Sequence, residues 1–587
     1  MKKLLFVTLI LSVWLHAMPQ TIVEYIRQSG IAKKDISIYI KEAGRGGKVV
    51  ASLNAEKTRI PASVIKIMTT YAAVLKLGFD YRWPTKFYTR GTLKNAVLHG
   101  DLLIKGFGDP TLNDRDLVEI VSHIRAKGIK RITGDIVIDR TYFKVGNKDN
   151  SGFDKHTYSA YNAMPDAMMF NERISTVCVT PNKKSVYKKN SDESYKVVNQ
   201  LQYVNKPCKG RYSWPGVRIE KNEVMPKVIL KGKISKRCGK RNICKVITKP
   251  YKSFYYALKA KLKSEGVKVG GTLKLERISQ NARDLFTYYS SSLEKIVSKT
   301  AKKSNNLYAR QLLLLLGAKV YGAPATMGKG RSAIEKILSS KGALGKGVLR
   351  VDNGSGLSRV AKLNAKLLSY MLDNAYDRYG SRWMQTLSIA GVDGTIKRRF
   401  RHTVVKNRAW MKTGTVNRVK NISGYVKNKK GKLYTVVILV NSPKSRYRGA
   451  KLQNQIMAWL VKTSAKPSRK SPAKIMQTKK TVSLKPVTKQ TPVQKTRVQN
   501  IFSDVETTTA PRSSSLAQKY YVQVGSFSSA PNKKYLTDIK NYGLDYKVLR
   551  DKSYKVLVGP YENEKNARRV LAKVQKNLNK KAFISTF

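Results

Sequence analysis

The sequence predicts an α+β protein in which two globular parts of unequal size are joined by a tether that cannot fold alone. Three observations predict this. Residues 18 to about 462 show regular apolar periodicity, with strand-like runs at both ends and helical runs between them. Residues 463–515 are rich in Lys, Pro, Ser and Thr and nearly free of aromatics, a composition that buries no core. From residue 516 to 587, aromatic and β-branched runs return. The length of 587 residues is that of several domains, and a hydrophobic content of 41% excludes a wholly disordered chain.

In chain order, Lys2 and Lys3 precede a largely apolar run from Leu4 to Leu15, and Ala17 stands where a signal peptidase would cut. That run is too short to cross a ~30 Å hydrocarbon layer, so residues 1–17 are expected to be a cleaved export signal. No later stretch reaches 18 consecutive apolar residues, so the mature chain is not expected to span a membrane. Ile36 to Ile40 and Lys48 to Leu53 read as strands around the Gly44–Gly47 turn, and a helix is expected after Pro61. Residues of about 80–285 are strand-rich, with Gly-Asp pairs at 100/101, 108/109 and 134/135 read as turns, and form a large insertion. Leu293 to Leu316 reads as helical with a break around Ser304, Leu433 to Val440 as a buried strand, and Ala450 to Val461 as a closing helix. The tether's 53 residues reach roughly 40 Å in the flexible regime.

The formal charge of +79 implies a polyanionic partner (nucleic acid, a membrane surface or an acidic wall polymer) or simply many solvated lysines. Export argues against nucleic acid. With 4 Cys and 5 His and no zinc-type spacing among them, neither a metal nor another cofactor is expected. Cys178, Cys208, Cys238 and Cys244 could form two disulfides with three possible connectivities, of which Cys238–Cys244 closes the shortest loop; free thiols are the alternative.

Candidate chemistry starts at Ser63-Val64-Ile65-Lys66. Residues i and i+3 share a helix face, so the Lys66 amine can reach the Ser63 hydroxyl and, once desolvated, take its proton. The spacing alone carries little, since it recurs at Ser185/Lys188, Ser292/Lys295 and Ser471/Lys474. Order and context sharpen it. An apolar flank surrounds Ser63 and Lys66, Ser304-Asn305-Asn306 falls in the helical break, and Lys412-Thr413-Gly414-Thr415 follows the strand-like Ala409-Trp410-Met411.

Ser-x-x-Lys, Ser-x-Asn and Lys-Thr-Gly in this order form the signature of penicillin-recognising acyltransferases. Residues 20 to 462 resemble the low-molecular-mass class C penicillin-binding proteins, the D-alanyl-D-alanine carboxypeptidase/endopeptidase family. Gly100–Gly106 with Gly108-Asp109-Pro110, Gly134–Asp139, Asp352–Arg359 and Ile389–Thr395 add to the resemblance. It implies a penicillin-binding/β-lactamase-like transpeptidase fold with large inserted β-rich domains. It implies a serine acyl-enzyme on peptidoglycan stem peptides, with β-lactam antibiotics as covalent inhibitors. By the same resemblance Ser63 attacks the carbonyl of the penultimate D-alanine, Lys66 is the base, Ser304 relays a proton and Asn306 holds Lys66 and substrate. Lys412, Thr413, Gly414 and Thr415 line the carboxylate side, and the backbone N–H groups of Ser63 and Thr415 form the oxyanion hole. Asn305 stands where Asp is usual, at a position that shapes the loop.

In the tail, Tyr520 to Phe527 alternates like a strand, a helix follows Pro531, and strands at 546–549 and 554–558, a helix from Glu562 and a strand near 582–587 complete a βαββαβ order. RNA-recognition modules share that order but carry an aromatic strand motif absent here. The segment resembles a SPOR domain in Tyr521–Phe527 and Tyr554–Tyr561, which implies binding of peptide-free (denuded) glycan strands at division sites. By alternation Tyr521, Gln523 and Lys555 face outward as sugar contacts. The resulting expectation is a periplasmic DD-peptidase enriched at the septum, with division-machinery proteins as further partners. A serine β-lactamase and a non-catalytic wall-binding scaffold are the alternatives.

Overall fold

In the computed structural model, strands from the two ends of the first globular part meet in one antiparallel sheet. Its order is Ser388–Ile389, Ala409–Val416, Val419–Lys427, Leu433–Asn441, Ile36–Glu42 and Val49–Leu53. Ile38 lies opposite Ile438, so residues about 400 positions apart in sequence become hydrogen-bonded neighbours. The structure describes residues 18–145, 153–222, 224–345, 347–463, 520–527, 531–541, 544, 546–550, 554–561, 564–577, 579 and 582–586. The expected export signal and all but the first residue of the expected tether lie outside the described residues.

Helices cover both faces of this sheet, which is why its strands read as continuous apolar runs. Ile36, Ile38, Ile40, Val436, Ile438 and Val440 pack on one side with Ile22 and Ile26 of the helix Gln20–Ser29 and with Leu452 and Ile456 of Ala450–Lys462. Val437 and Leu439 face the other side, against the helices Lys66–Leu77, Asn306–Tyr321 and Ala365–Met384. Each fully buried Val or Ile of this kind stabilises the fold by ~1.5–3 kcal/mol.

The long insertion is two structures, one nested in the other. Strands from Pro84–Lys94 to Arg283–Tyr289 form a seven-stranded sheet whose core holds the helices Asp116–Ala126 and Pro250–Ser264. Within it, two three-stranded sheets, made of residues 175–245, share a core of Val177, Val179, Tyr195, Val228, Leu230 and Ile243. Gly100-Asp101 is not a turn. It lies inside the strand Val97–Gly106 opposite Gly91 and Arg90, where two facing glycines let the backbones close up. The Cys238–Cys244 pairing does not form either: Cys208 bonds Cys238, while Cys178 is a buried and Cys244 an exposed free thiol. Strand direction outweighs loop length here, because Cys244 lies in Arg241–Lys245 beside Thr176, whereas Cys238 follows Lys227–Ser235 and packs against the Tyr212 and Ser213 carbonyls.

The tail unit is a four-stranded antiparallel sheet ordered Tyr546–Arg550, Tyr554–Tyr561, Tyr520–Phe527, Phe583–Thr586. Val522, Val524, Val556 and Val558 face its helices Lys533–Asn541 and Glu564–Asn577, as the alternation requires.

Candidate active site

Ser63 sits in a 3-10 turn, Ala62–Ile65, rather than in the α-helix expected after Pro61; the α-helix starts at Lys66. In a 3-10 turn residues i and i+3 eclipse, so the turn stacks Lys66 directly behind the serine. The Lys66 Nζ is 2.8 Å from Ser63 Oγ. Ala62 takes a left-handed backbone (φ +46°), a conformation costing on the order of 1 kcal/mol for a residue with a Cβ and common where a nucleophile is presented. Three residues hold the turn. Asn421 Nδ2 donates to the Ile60 and Pro61 carbonyls at 2.9 Å, Asn441 Oδ1 accepts from Ile60 N at 2.7 Å, and Gly356 (φ +75°) presses against the Ala62 carbonyl where any Cβ would collide.

Lys66 is fully buried. It donates to Asn306 Oδ1 at 2.7 Å and to the Ser355 carbonyl as well as to Ser63. Burial, together with the nearby Lys412 and Arg310 cations, drives its pKa well below the usual lysine range. A neutral amine keeps two N–H groups, enough for Asn306 and Ser355, and turns its lone pair to the Ser63 hydroxyl. That is the state a general base needs.

Ser304, also left-handed (φ +54°), breaks the helical run between Leu293–Lys302 and Asn306–Tyr321. Its Oγ accepts from Lys412 Nζ at 2.9 Å, and Lys412 also donates to the Thr413 carbonyl at 2.8 Å. Burial alone lowers the Lys412 pKa to about 7. The strand Ala409–Val416 runs past the serine turn so closely that a Cβ at Gly414 would lie 2.7 Å from Pro61 O and 3.1 Å from Ser63 N. The structure thus brings Ser63, Lys66, Ser304, Asn306 and Lys412 into one network, with Thr413, Gly414 and Thr415 along its edge.

Four contributors escape the motif reading. Ser355 lends its carbonyl to Lys66, Tyr161 of the insertion accepts from Asn306 Nδ2 at 3.0 Å, Arg310 adds a buried charge, and Thr395 Oγ1 lies 2.9 Å from Thr413 Oγ1. Ser355 and Thr395 belong to the segments Asp352–Arg359 and Ile389–Thr395, so a signal existed for them. Tyr161 had none, because its contribution is a backbone oxygen.

Asn305 does more than shape the loop. Its Oδ1 caps the helix Asn306–Tyr321 by accepting from Tyr308 N at 3.1 Å, and its Nδ2 donates at 2.8 Å to Glu172, which also takes Lys299 and the Tyr308 hydroxyl. An acid at 305 would set two carboxylates in contact. Asn305→Asp is expected to cost ~1–3 kcal/mol in urea unfolding at neutral pH, and Glu172→Gln in the same chain should restore most of it. No recovery would mean that the two side chains are not coupled.

On the tail's helix-free face, Tyr521 does not stand outward. It is 6% exposed, with Lys547 Nζ 4.0 Å over its ring and 2.9 Å from its hydroxyl. Alternation gives the face of a sheet but not the cover that a long neighbouring side chain supplies. Gln523 and Lys555 are half-buried, and Phe583, paired with Gln523 and 51% exposed, is the aromatic on that face that alternation did not select.

Comparison with known proteins places these features in families. The family described as D-Ala-D-Ala carboxypeptidase 3 (S13) matches residues 18–463, and the SPOR domain matches residues 516–586. The chain is 26% identical over 406 residues to the D-alanyl-D-alanine carboxypeptidase DacB of Haemophilus influenzae, covering 67% of this chain and 83% of that protein. It is also 26% identical over 406 residues to the D-alanyl-D-alanine carboxypeptidase of Actinomadura sp. (strain R39), covering 66% of this chain and 74% of that one. The crystal structure of penicillin binding protein 4 from H. influenzae shares the fold, with a TM-score of 0.64 at 21% identity over 75% of this chain and 99% of that one. A second structure of that protein, in complex with a β-lactam, aligns with a TM-score of 0.60 at 21% identity over 74% of this chain and 97% of that one.

Proposed function

The chain belongs to the D-Ala-D-Ala carboxypeptidase 3 (S13) family and carries a SPOR domain, and from that premise we propose that it is a serine-type DD-peptidase working through a Ser63 acyl-enzyme. A hydrolase acting on peptidoglycan follows from the family; the serine mechanism, endopeptidase activity and septal targeting are our reading. The observation that carries it is the buried Lys66 amine, 2.8 Å from Ser63 Oγ in surroundings that favour its free base.

In this mechanism Ser63 Oγ attacks the carbonyl carbon of the penultimate D-alanine as its proton passes to Lys66. The oxyanion forms against the N–H groups of Ser63 and Thr415, where one donor is typically worth ~2.7–4 kcal/mol. Collapse breaks the C–N bond, and the leaving amine takes its proton through Ser304. Asn306 keeps Lys66 aimed, and Lys412 with Thr413 and Thr415 receives the terminal carboxylate along the edge that Gly414 keeps close. Water then hydrolyses the ester. Where the leaving amine belongs to a crosslink rather than to free D-alanine, the same steps give endopeptidase activity. A long-lived penicillin adduct separates a peptidase from a serine β-lactamase, which would hydrolyse the ester rapidly.

The purified mature chain should form a long-lived covalent adduct with a fluorescent penicillin, and mass spectrometry should place it on the Ser63 peptide. A folded protein without adduct would leave the scaffold reading. The pH profile follows from the second lysine. Lys412 must be cationic to receive a carboxylate, and its pKa is about 7, so kcat/KM on a D-Ala-D-Ala peptide is expected to fall as pH rises through neutrality. Lys412→Arg, charged at every accessible pH, should move that falling limb upward; a limb that stays in place would assign it to another group.

In this reading residues 1–17 direct export to the periplasm, residues 463–515 tether the parts, and the tail binds denuded glycan at the septum. Gln523 and Lys555, with the exposed Phe583 paired to Gln523, offer the sugar contacts in place of the covered Tyr521. β-Lactams would be covalent inhibitors, and division-machinery proteins remain candidate partners.

A further inference from the structure

One carboxylate of the insertion spans the break that carries Ser304. Glu172 Oε1 accepts from Lys299 Nζ at 2.6 Å and from the Tyr308 hydroxyl at 3.1 Å, and Oε2 accepts from Asn305 Nδ2 at 2.8 Å. Lys299 belongs to the helix Leu293–Lys302 and Tyr308 to Asn306–Tyr321, so Glu172 ties together the helices on either side of Ser304. The angle between those helices sets where Ser304 Oγ meets Lys412 and where Asn306 Oδ1 meets Lys66, contacts of 2.9 and 2.7 Å.

The backbone under Glu172 is costly. Asn171, Glu172 and Arg173 have φ of +47°, +53° and +58°, a left-handed run that residues with a Cβ rarely adopt in succession. The insertion holds it in place. Asn171 N donates to the Leu112 carbonyl and its Nδ2 to Asp114, both at 2.9 Å, and Arg173 Nη1 donates to the Met164 carbonyl at 3.0 Å. A surface ion pair needs no such turn, and the Lys299 side chain is 47% exposed, where pairing contributes little. The bonds to Asn305 and Tyr308 are partly buried and fall on the break itself.

We propose that Glu172 is a positioning residue that fixes the break and so aims Ser304 at Lys412 and Asn306 at Lys66. The reaction those groups serve rests on the peptidase reading above; the grip on the break rests on the bonds of Glu172. Polarity is the key to testing it. In Glu172→Gln the new amide N–H groups would face the Asn305 amide, donor against donor. Turning Asn305 over would mend that contact but take its oxygen away from Tyr308 N and lose the cap. Adding Asn305→Asp completes the network again, with one carboxylate oxygen on Tyr308 N and the other on the new amide.

Stopped-flow acylation of the full chain by a penicillin separates initial binding from the acylation step. Glu172→Gln is expected to lower the acylation rate constant about tenfold or more while the initial Kd stays within about twofold. Glu172→Gln/Asn305→Asp should return the rate constant to within about threefold of wild type. Hydrogen exchange at the Tyr308 amide should quicken in the single variant and recover in the double. A Glu172 that only stabilises the fold would lower the urea midpoint and leave rate and exchange unchanged; that result, or a double variant as slow as the single, would overturn the proposal. If Glu172→Gln does not fold, Tyr308→Phe, which removes one hydroxyl and keeps the buried ring, takes its place. A rate constant lowered about threefold supports the proposal there, and an unchanged one overturns it. A wild type that forms no adduct would count against the acyl-enzyme, and the exchange measurement would then decide whether Glu172 holds the break.

Discussion

Replacing Lys66 with Met is expected to slow acylation by a penicillin or a D-Ala-D-Ala peptide by about 10²–10⁴-fold while leaving the fold intact. Methionine fills similar volume in a fully buried position but has no lone pair to take the Ser63 proton. The same variant should also change how stability depends on pH. Lys66 is held far below its unfolded pKa, so between the two values the unfolded chain binds more protons, and stability rises with pH in that window. Removing the amine should flatten the rise. Urea midpoints across pH, measured beside acylation rates, check both effects. Acylation within about tenfold of wild type would require another base.

Gly414→Ala is expected to lower the acylation rate by about 10²-fold, with a smaller effect on stability. The added methyl would lie 2.7 Å from Pro61 O and 3.1 Å from the Ser63 and Val64 nitrogens, and none of these can swing away as a side chain could. The turn is held by Asn421, which lies opposite Gly414 on the neighbouring strand, and by Gly356, so the strand must yield. Lys412, Thr413 and Thr415 ride on that strand, and its retreat would widen the gap between Thr415 N and Ser63 N, where the proposed mechanism puts the oxyanion. Stopped-flow acylation with circular dichroism separates this from unfolding. A rate within about twofold of wild type would show that the approach of strand to turn does not matter for catalysis.

The residues of the candidate site were legible because the proposed chemistry demands them at short spacings within three local motifs, each in an apolar or strand-like context. The central sheet was legible because both its faces are buried, which leaves the unbroken Leu433–Val440 run as a trace. The insertion was less so. Gly100-Asp101 looked like a turn because glycine in sequence does not distinguish a chain reversal from two strands pressed together.

Sequence alone determined the two globular parts, the order of the three motifs and the helical break at Ser304. Each of these depends on neighbours within a few residues. Tertiary structure decided what depends on partners far along the chain. It joined Cys208 to Cys238, covered Tyr521 with Lys547 and set Glu172 against the Asn305 amide. It also buried Lys66 and Lys412 among groups drawn from both ends of the first globular part. A lysine's pKa is a sum over everything packed around it, and no local stretch of sequence contains that sum.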